Sequence, residues 1–485
     1  HHIFDAADGA FSAHLSGAEA AELRRWLIGP GTGRRRSRAR GLEQRIGDLV
    51  AGDDAAARTL AEVLRAAQVL PTDGWPERLA RDNPVGPVEA FLARVRAHVY
   101  ARSEDEASPY SLEATTLTPS AELLGTAEAL EAAFARLETP VRRLIRLLAQ
   151  MLDEEAAELD TAARLRIEAA CRGLNRRAEM VLGAWRAMLR ALAGEPEEAF
   201  VDWFGIERSD GRDVDVGMHR HWLDPTVPFA EAVLKRAHGV LITSATLRDR
   251  PPDVPDDWSS AEVRTGALHL PQPAKRTSLP SPFDYAGETR IIVVTDVRRN
   301  DAEQMAAAYR ELFLAAGGGG LGLFTAINRL RQVQGRIAGP LEAAGIPLLA
   351  QHVDLMDTGT LVDIFRAEVD SCLLGTDAVR DGVDVPGRSL RLIVFDRVPW
   401  PRPDILHRAR KAVFGGRAYD DMVTRLRLKQ AYGRLIRSAG DRGVFVVLDA
   451  MLPSRLTTAF PDGVTIRRLG LAEAVRLTAE FLGRR

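Results

Sequence analysis

Lysine is almost missing from this 485-residue chain. Only Lys235, Lys275, Lys411 and Lys429 occur, so 61 of the 65 basic residues are arginine. A phosphate-gripping P-loop needs a Gly-Lys-Ser/Thr step, because backbone amides cradle the phosphates while the lysine reaches the outer ones. None of the four lysines follows a glycine, which excludes such a loop from this sequence. Cysteine is equally scarce. Cys171 and Cys372 alone cannot build a disulfide framework, a four-cysteine zinc site or a four-thiolate iron–sulfur cluster, and a reducing cytoplasm is the expected location. No apolar run reaches the roughly 18 residues that a membrane-spanning helix needs. The start, His1-His2-Ile3-Phe4-Asp5, has no initiator Met, no basic segment and no signal-peptide core. Net charge is −2, so no global field draws the chain to nucleic acid, and any such binding must use local patches.

What is present is the balance of a folded protein, 46% hydrophobic and 27% charged, and the length suits two to four domains. To about residue 200 the pattern is helical. Val141, Leu144, Ile145, Leu148 and Leu152 share one helical face, as do Val181, Trp185, Met188 and Leu192. Pro109, Pro119 and Pro140 are expected to divide this stretch into separate helices. Arg34 to Arg40 forms a basic run beside Gly31 and Gly33, either a solvated loop or a phosphate-contacting one.

From about residue 205, short β-branched runs alternate with helical patterns. The runs are Gly239–Thr243, Arg290–Val294, Leu321–Thr325, Ile346–Ala350, Ser371–Gly375, Leu390–Phe395 and Val444–Leu448. Near-continuous apolar strands separated by helices imply an α/β fold, a parallel sheet covered by helices on both faces. Gly317 to Gly320 reads as a flexible connection between a helix and a strand. His219-Arg220-His221 puts two imidazoles on one strand face with no evident third ligand, so no metal site is expected. Asp153-Glu154-Glu155 reads as a solvated face and Cys372 as a small core residue.

In open α/β sheets, ligands collect at the carboxyl ends of strands. Three polar clusters stand out. Ser244 and Thr246 follow an expected strand. Asp381 and Asp384 flank Gly382 and Val383, where two carboxylates suit either acid/base or metal chemistry, or simply a glycine turn. Gln430, Arg434 and Arg437 fall at i, i+4 and i+7, one face of an expected helix that contains Gly433. Two guanidiniums and an amide on one stripe suit a polyphosphate.

Taken together, the clusters resemble the motifs of superfamily 2 DNA helicases, most closely the DinG type, bacterial relatives of XPD. Thr243-Ser244-Ala245-Thr246-Leu247 resembles motif III, Ser281-Pro282-Phe283-Asp284-Tyr285 the linker into the second motor domain, and Leu323-Phe324-Thr325 motif IV. Asp381-Gly382-Val383-Asp384 resembles motif V, although Val379-Arg380-Asp381 replaces the common aromatic and glutamate. Pro399-Trp400-Pro401-Arg402-Pro403 resembles the family's Pro-Phe-x-x-Pro element, and Gln430 to Arg437 matches Gln-x-x-Gly-Arg-x-x-Arg, motif VI. The opening residues, His1 to Asp8, resemble the end and sequel of a DEAH box, with His1 as its last residue.

The resemblance implies RecA-like motor lobes with a large all-α, arch-like insertion. Residues 1–14 and 205–280 would belong to the first lobe, 15–204 to the insertion and 281–485 to the second lobe. It implies an ATP-dependent helicase moving 5′→3′, with Arg434, Arg437, Gln430 and His1 in catalysis. Ser244, Thr246, Asp381, Gly382, Asp384 and Gly433 would couple nucleotide to movement, and Thr325, Arg34, Arg35 and Arg36 would hold DNA. The implied cofactors are ATP and Mg2+, with most Mg2+ ligands upstream of residue 1, where any iron–sulfur cluster would also have to lie. Expected partners are single-stranded or forked DNA, with no membrane and a monomeric state. A chain beginning inside the DEAH box would hydrolyse ATP poorly alone. The competing reading is a DNA-binding or regulatory module that keeps the motor fold without catalysis.

Overall fold

The computed structural model describes every residue except 1, 31–39, 104, 106, 107, 155–158, 210, 252–256, 383, 484 and 485, with only the backbone described at 380–382. His1, Arg34, Arg35 and Arg36 therefore lie outside the described residues, as does most of the basic run. The chain separates into a helical unit, Phe4–Phe229 with Pro403–Arg410, and a sheet unit, His1–Ile3, Ala230–Arg402 and Lys411–Arg485.

The helical unit is organised on the helix Ala121–Glu154, which packs against Asp54–Ala66, Gly86–Tyr100, Thr161–Leu174 and Met180–Ala191. The apolar stripes are its core: Val141, Leu144, Leu148, Trp185 and Met188 are all buried. Pro140 does not break this helix as expected; it sits buried inside it. A helix-interior proline costs about 3 kcal/mol. Packing against four neighbouring helices outweighs that cost.

The section is also not wholly helical. Strands β1 (Ala13–Ser16), β2 (Leu112–Thr115), β3 (Phe200–Ser209) and β4 (Arg212–Trp222) form an antiparallel sheet in the order β1-β4-β3-β2. Phe204, Ile206, Val216 and Met218 face the helical core. The opposite face carries Val201 and Trp203, against which Ile405 packs. β4 alternates Val214, Val216 and Met218 with Asp213, Asp215 and His219, a period of two from which only His219 and His221 were singled out in the sequence.

The sheet unit contains β5 (Thr289–Val294), β6 (Gly320–Leu323), β7 (Leu348–Ala350), β8 (Cys372–Gly375), β9 (Leu392–Phe395), β10 (Gly443–Val447) and β11 (Ile466–Leu469). Their order is β11-β5-β10-β9-β6-β8-β7, and every pairing is parallel. Alternation along each strand sends side chains to two separate cores. Ile291, Val293, Ile393, Phe395 and Phe445 pack under the helices Thr358–Ala367 and Arg417–Tyr432. Ile292, Val294, Leu392, Val394 and Val444 pack under Ala302–Ala316, Ile327–Ala343 and Leu471–Gly483. Helices on both faces of a parallel sheet are the RecA-like α/β arrangement the sequence implied. Burial in the second core pushes the Cys372 thiol up to about 12, which keeps it a protonated core residue.

Two expectations fail. Gly239–Thr243 forms no strand, and its Val240 and Leu241 are exposed. An apolar run becomes a buried strand only where a neighbour supplies the ladder, and none is present beside it among the described residues. The Gly317–Gly320 run is a tight turn rather than a loose one. A Cβ at Gly318 would meet the Asp370 carbonyl oxygen at 1.9 Å, and one at Gly319 would meet the Arg391 guanidinium at 2.4 Å.

Candidate functional site

The strongest cluster lies in the sheet unit, where the loop after β8 meets the turn before β10. The helix Arg417–Tyr432 carries Gln430 on its last turn and ends there. Gly433 is its C-cap, so Arg434 and Arg437 stand in the following turn rather than on a helical face. This corrects the expected stripe. A Cβ at Gly433 would touch only carbonyls of its own last turn, so no foreign backbone approaches it. The helix stops because the next residues turn back into β10. Asp441 holds that turn, accepting from the backbone amides of Arg437 at 2.7 Å and Ser438 at 2.8 Å and from Ser438 Oγ at 2.7 Å. Burial alone would raise its carboxyl, but the Ser438 hydroxyl and the amides of Arg437, Ser438 and Gly387 hold it below the usual value.

Arg437 pairs with Asp384 at 3.3 Å. The structure thus brings together two residues 53 positions apart that sequence patterns had placed in separate clusters. Arg437 keeps 36% and Asp384 71% of its side chain exposed, so the pair is worth at most about 1 kcal/mol. It can therefore exchange readily for an anionic ligand. Asp384 is further fixed by its own carbonyl, which accepts from Arg366 Nε at 3.0 Å. Gly382 ends the short helix Asp377–Gly382, which also contains Asp381.

A second cluster surrounds Thr246. Ser244 Oγ and Thr246 Oγ1 are 3.1 Å apart in an exposed turn. Thr246 shares a small cleft with Arg248, Asp249, Arg264, Arg425 and Lys429. Arg425 makes a two-pronged bond to Asp249 at 3.0 and 2.5 Å. Lys429 donates to the Arg248 carbonyl at 3.2 Å. Burial pushes the Lys429 ammonium down to about 8; Asp249 opposes this, while Arg248, Arg250 and Arg264 add to it. The residue before Gln430 is thus tied to the segment that follows Ser244.

A third cluster lies at the carboxyl ends of β6 and β9. The Thr325 amide and hydroxyl donate to Asp396 at 3.1 and 3.3 Å, and Arg329 Nε donates to it at 2.7 Å. Burial raises the Asp396 carboxyl against the opposing pull of Arg329 and Arg397. Arg329 Nη2 and Arg397 Nε are buried with no hydrogen-bond partner. Thr325 was singled out from the sequence, whereas Arg329 and Arg397, which share Asp396 with it, are marked by no motif. Nor does any motif mark His14, which lies beside His219 and His221 in the helical unit. Among the described residues no three His, Cys, Asp or Glu side chains are placed to hold a metal ion.

A model of the helicase C-terminal domain matches residues 309–465, which cover β6 to β10 and all four motif-like segments from Leu323 onward. The matched residues form most of the parallel sheet, from β6 to β10. Across 243 residues the chain is 35% identical to the ATP-dependent helicase DinG of Mycobacterium tuberculosis (strain ATCC 25177 / H37Ra), covering 47% of this chain and 34% of that protein. It is 30% identical over 270 residues to the ATP-dependent DNA helicase YoaA of Escherichia coli (strain K12), covering 52% and 40%. The 3'-5' exonuclease DinG of Bacillus subtilis (strain 168) is 29% identical over 262 residues, covering 51% and 27%. The chain spans between about a quarter and two fifths of the length of these relatives. Over the matched stretch the chain is thus similar to helicases of the DinG type.

Proposed function

We propose that this chain is part of an ATP-dependent DNA helicase, supplying its second RecA-like lobe and an arch-like helical region. In this reading residues 281–485 form the lobe, 15–204 the arch, and 1–14 with 205–280 the edge of the first lobe. ATP binds against Arg434 and Arg437. As phosphoryl transfer proceeds, charge spreads over the γ-phosphate oxygens, and a guanidinium placed there is worth roughly 10³–10⁵ in rate. Gln430 orients water or a phosphate oxygen. When Arg437 turns to the phosphate it leaves Asp384, and the loop holding Asp381, Gly382 and Asp384 is released to move. Gly433 caps the helix after Tyr432, just past Gln430, while Ser244 and Thr246 transmit closure through Asp249, Arg425 and Lys429. His1 would act with upstream residues. Mg2+ would travel with the ATP phosphates, most of its protein ligands lying outside this sequence.

Thr325, with Arg329 and Arg397, would hold DNA phosphates; Arg34, Arg35 and Arg36 would add contacts along the strand. Such contacts fix register without reading sequence. The acting form is a monomer moving 5′→3′ on single-stranded or forked DNA in the cytoplasm.

The observation that carries this reading is the Arg437–Asp384 pair, an exchangeable contact that joins a phosphate-seeking arginine to the neighbouring loop. The test is strand separation by the complete protein encoded by the parent reading frame, on a forked duplex with a 5′ single-stranded tail. ATP should drive unwinding and a non-hydrolysable analogue should not. DNA binding without ATP turnover would favour the non-catalytic module. RNA-stimulated turnover exceeding that with DNA would favour an RNA translocase.

A further inference from the structure

On the outer face of the antiparallel sheet, three imidazoles meet. His14 on β1 and His219 on β4 are register partners, with their Nδ1 atoms 2.8 Å apart. The His221 ring lies 5.0 Å from His14. Trp203 on β3 stacks on His219 at 5.1 Å and 17° and lies 5.0 Å from His221. Ser12 Oγ meets His14 Nε2 at 3.1 Å. From the helix His2–Phe11, Asp8 reaches His221 Nδ1 at 2.9 Å. From the stretch Pro403–Arg410, Arg410 bonds the same Asp8 oxygen at 2.6 Å and the Trp222 and Leu223 carbonyls, and Ile405 packs on Trp203.

Pro403–Arg410 is distant in sequence from the rest of the helical unit, yet it is part of it. We propose that the His14–His219 pair, in the cluster under Trp203, is a proton-sensitive clasp: with both rings neutral it holds the Pro403–Arg410 strap on the helical unit, and acid releases the strap.

The geometry gives the mechanism. A 2.8 Å contact between two ring nitrogens needs one donor and one bare lone pair, so it cannot survive protonation of both rings. The charged or titratable groups facing the cluster are Asp8 from the first helix, Arg410 from the strap and the imidazoles themselves. Glu113 on β2 accepts from the Ile405 amide at 3.0 Å, and the strap's His407 has its amide bonded to Asp404. Among the described residues the one carboxylate bonded to the cluster, Asp8, is already shared between His221 and Arg410, so it cannot neutralise two further cations. Ile405 holds Trp203 down, and Trp203 covers His219; lifting the strap therefore hydrates the cluster.

Burial, with His221 beside it, lowers His14 to about 4. Burial, with His14 and His221 nearby, lowers His219 to about 3. In an open strap both would titrate near 6.5. Opening is then favoured about 30-fold per freed imidazole between pH 7.5 and pH 5, or about 10³-fold for both.

The test is hydrogen exchange by mass spectrometry on the whole chain, with rates corrected for intrinsic pH dependence. Protection of amides 405–410 should fall 30- to 1000-fold from pH 7.5 to pH 5, while the Thr161–Leu174 helix keeps its protection. His14→Gln should reduce that pH response by about 30-fold, and Asp8→Asn should loosen the strap at both pH values. Unchanged protection of 405–410, an equal loss across the Thr161–Leu174 helix, or a wild-type response in His14→Gln would overturn the clasp.

Discussion

Arg391 is the residue whose loss should hurt the sheet unit most. Its guanidinium lies at the amino ends of β6 and β9, beneath the four-glycine turn. Nε donates to the Ala316 carbonyl at 2.9 Å, and Nη1 to the carbonyls of Val369 at 3.0 Å and Arg388 at 2.5 Å. Nη2 donates to the Gly317 carbonyl at 2.5 Å and to Asp370 at 2.7 Å. One planar fork thus caps the helix Ala302–Ala316 and ties the approaches to three strands. Replacement by methionine keeps much of the stem and removes every donor. A hydrogen bond to a charged group contributes about 1.5–3 kcal/mol, and such losses are not additive because water reaches part of the site. The expected cost is about 3–5 kcal/mol. With a urea dependence of about 2 kcal/mol per molar, the unfolding midpoint of the sheet unit should fall by about 2 M. Far-UV circular dichroism on urea titration measures this. Arg391→Lys should recover less than half, since an ammonium cannot form the fork. A midpoint shift under about 0.5 M for Arg391→Met would refute the reasoning.

Three further outcomes are expected. Gly318→Ala puts a Cβ against the Asp370 carbonyl at a φ of +90°, and thermal unfolding should drop by at least about 5 °C; an unchanged midpoint would mean the turn yields freely. Lys429→Met should raise stability at pH 7 by about 1–2 kcal/mol, because the buried ammonium is held at about 8 against 10.5 when unfolded. The sign follows from proton uptake: the unfolded chain binds the extra proton between pH 8 and 10.5, so wild-type stability should rise with pH there, and a destabilised Lys429→Met would contradict the burial argument. DNA affinity should fall about 7-fold from 50 to 200 mM salt if Arg329 and Arg397 each neutralise a phosphate of single-stranded DNA, uncharged Thr325 adding nothing to the salt dependence, as measured by fluorescence anisotropy; a flat response would remove the two arginines from the DNA path.

The sheet was legible because six of its strands are short apolar runs whose neighbours were equally apolar. β11 escaped because Arg467 and Arg468 interrupt it at the sheet edge. Gly239–Thr243 looked the same as the six, yet apolar content does not say whether a ladder partner exists. The glycine run was visible, but its cause, an arginine more than 70 positions later, was not. Gln430 to Arg437 was readable as a motif, while its geometry was not: Asp441 ends the helix after Tyr432 by capturing two amides, which periodicity does not register. His219 and His221 were read correctly onto one strand face, but His14 lies 205 residues away and only strand pairing joins them.

Steady-state ATP hydrolysis by the complete protein, with and without single-stranded DNA, tests the role given to the arginine turn most directly. Arg437→Ala should lower DNA-stimulated turnover by roughly 10³-fold or more while DNA binding stays within a few-fold of wild type. Wild-type turnover in that variant would contradict the account.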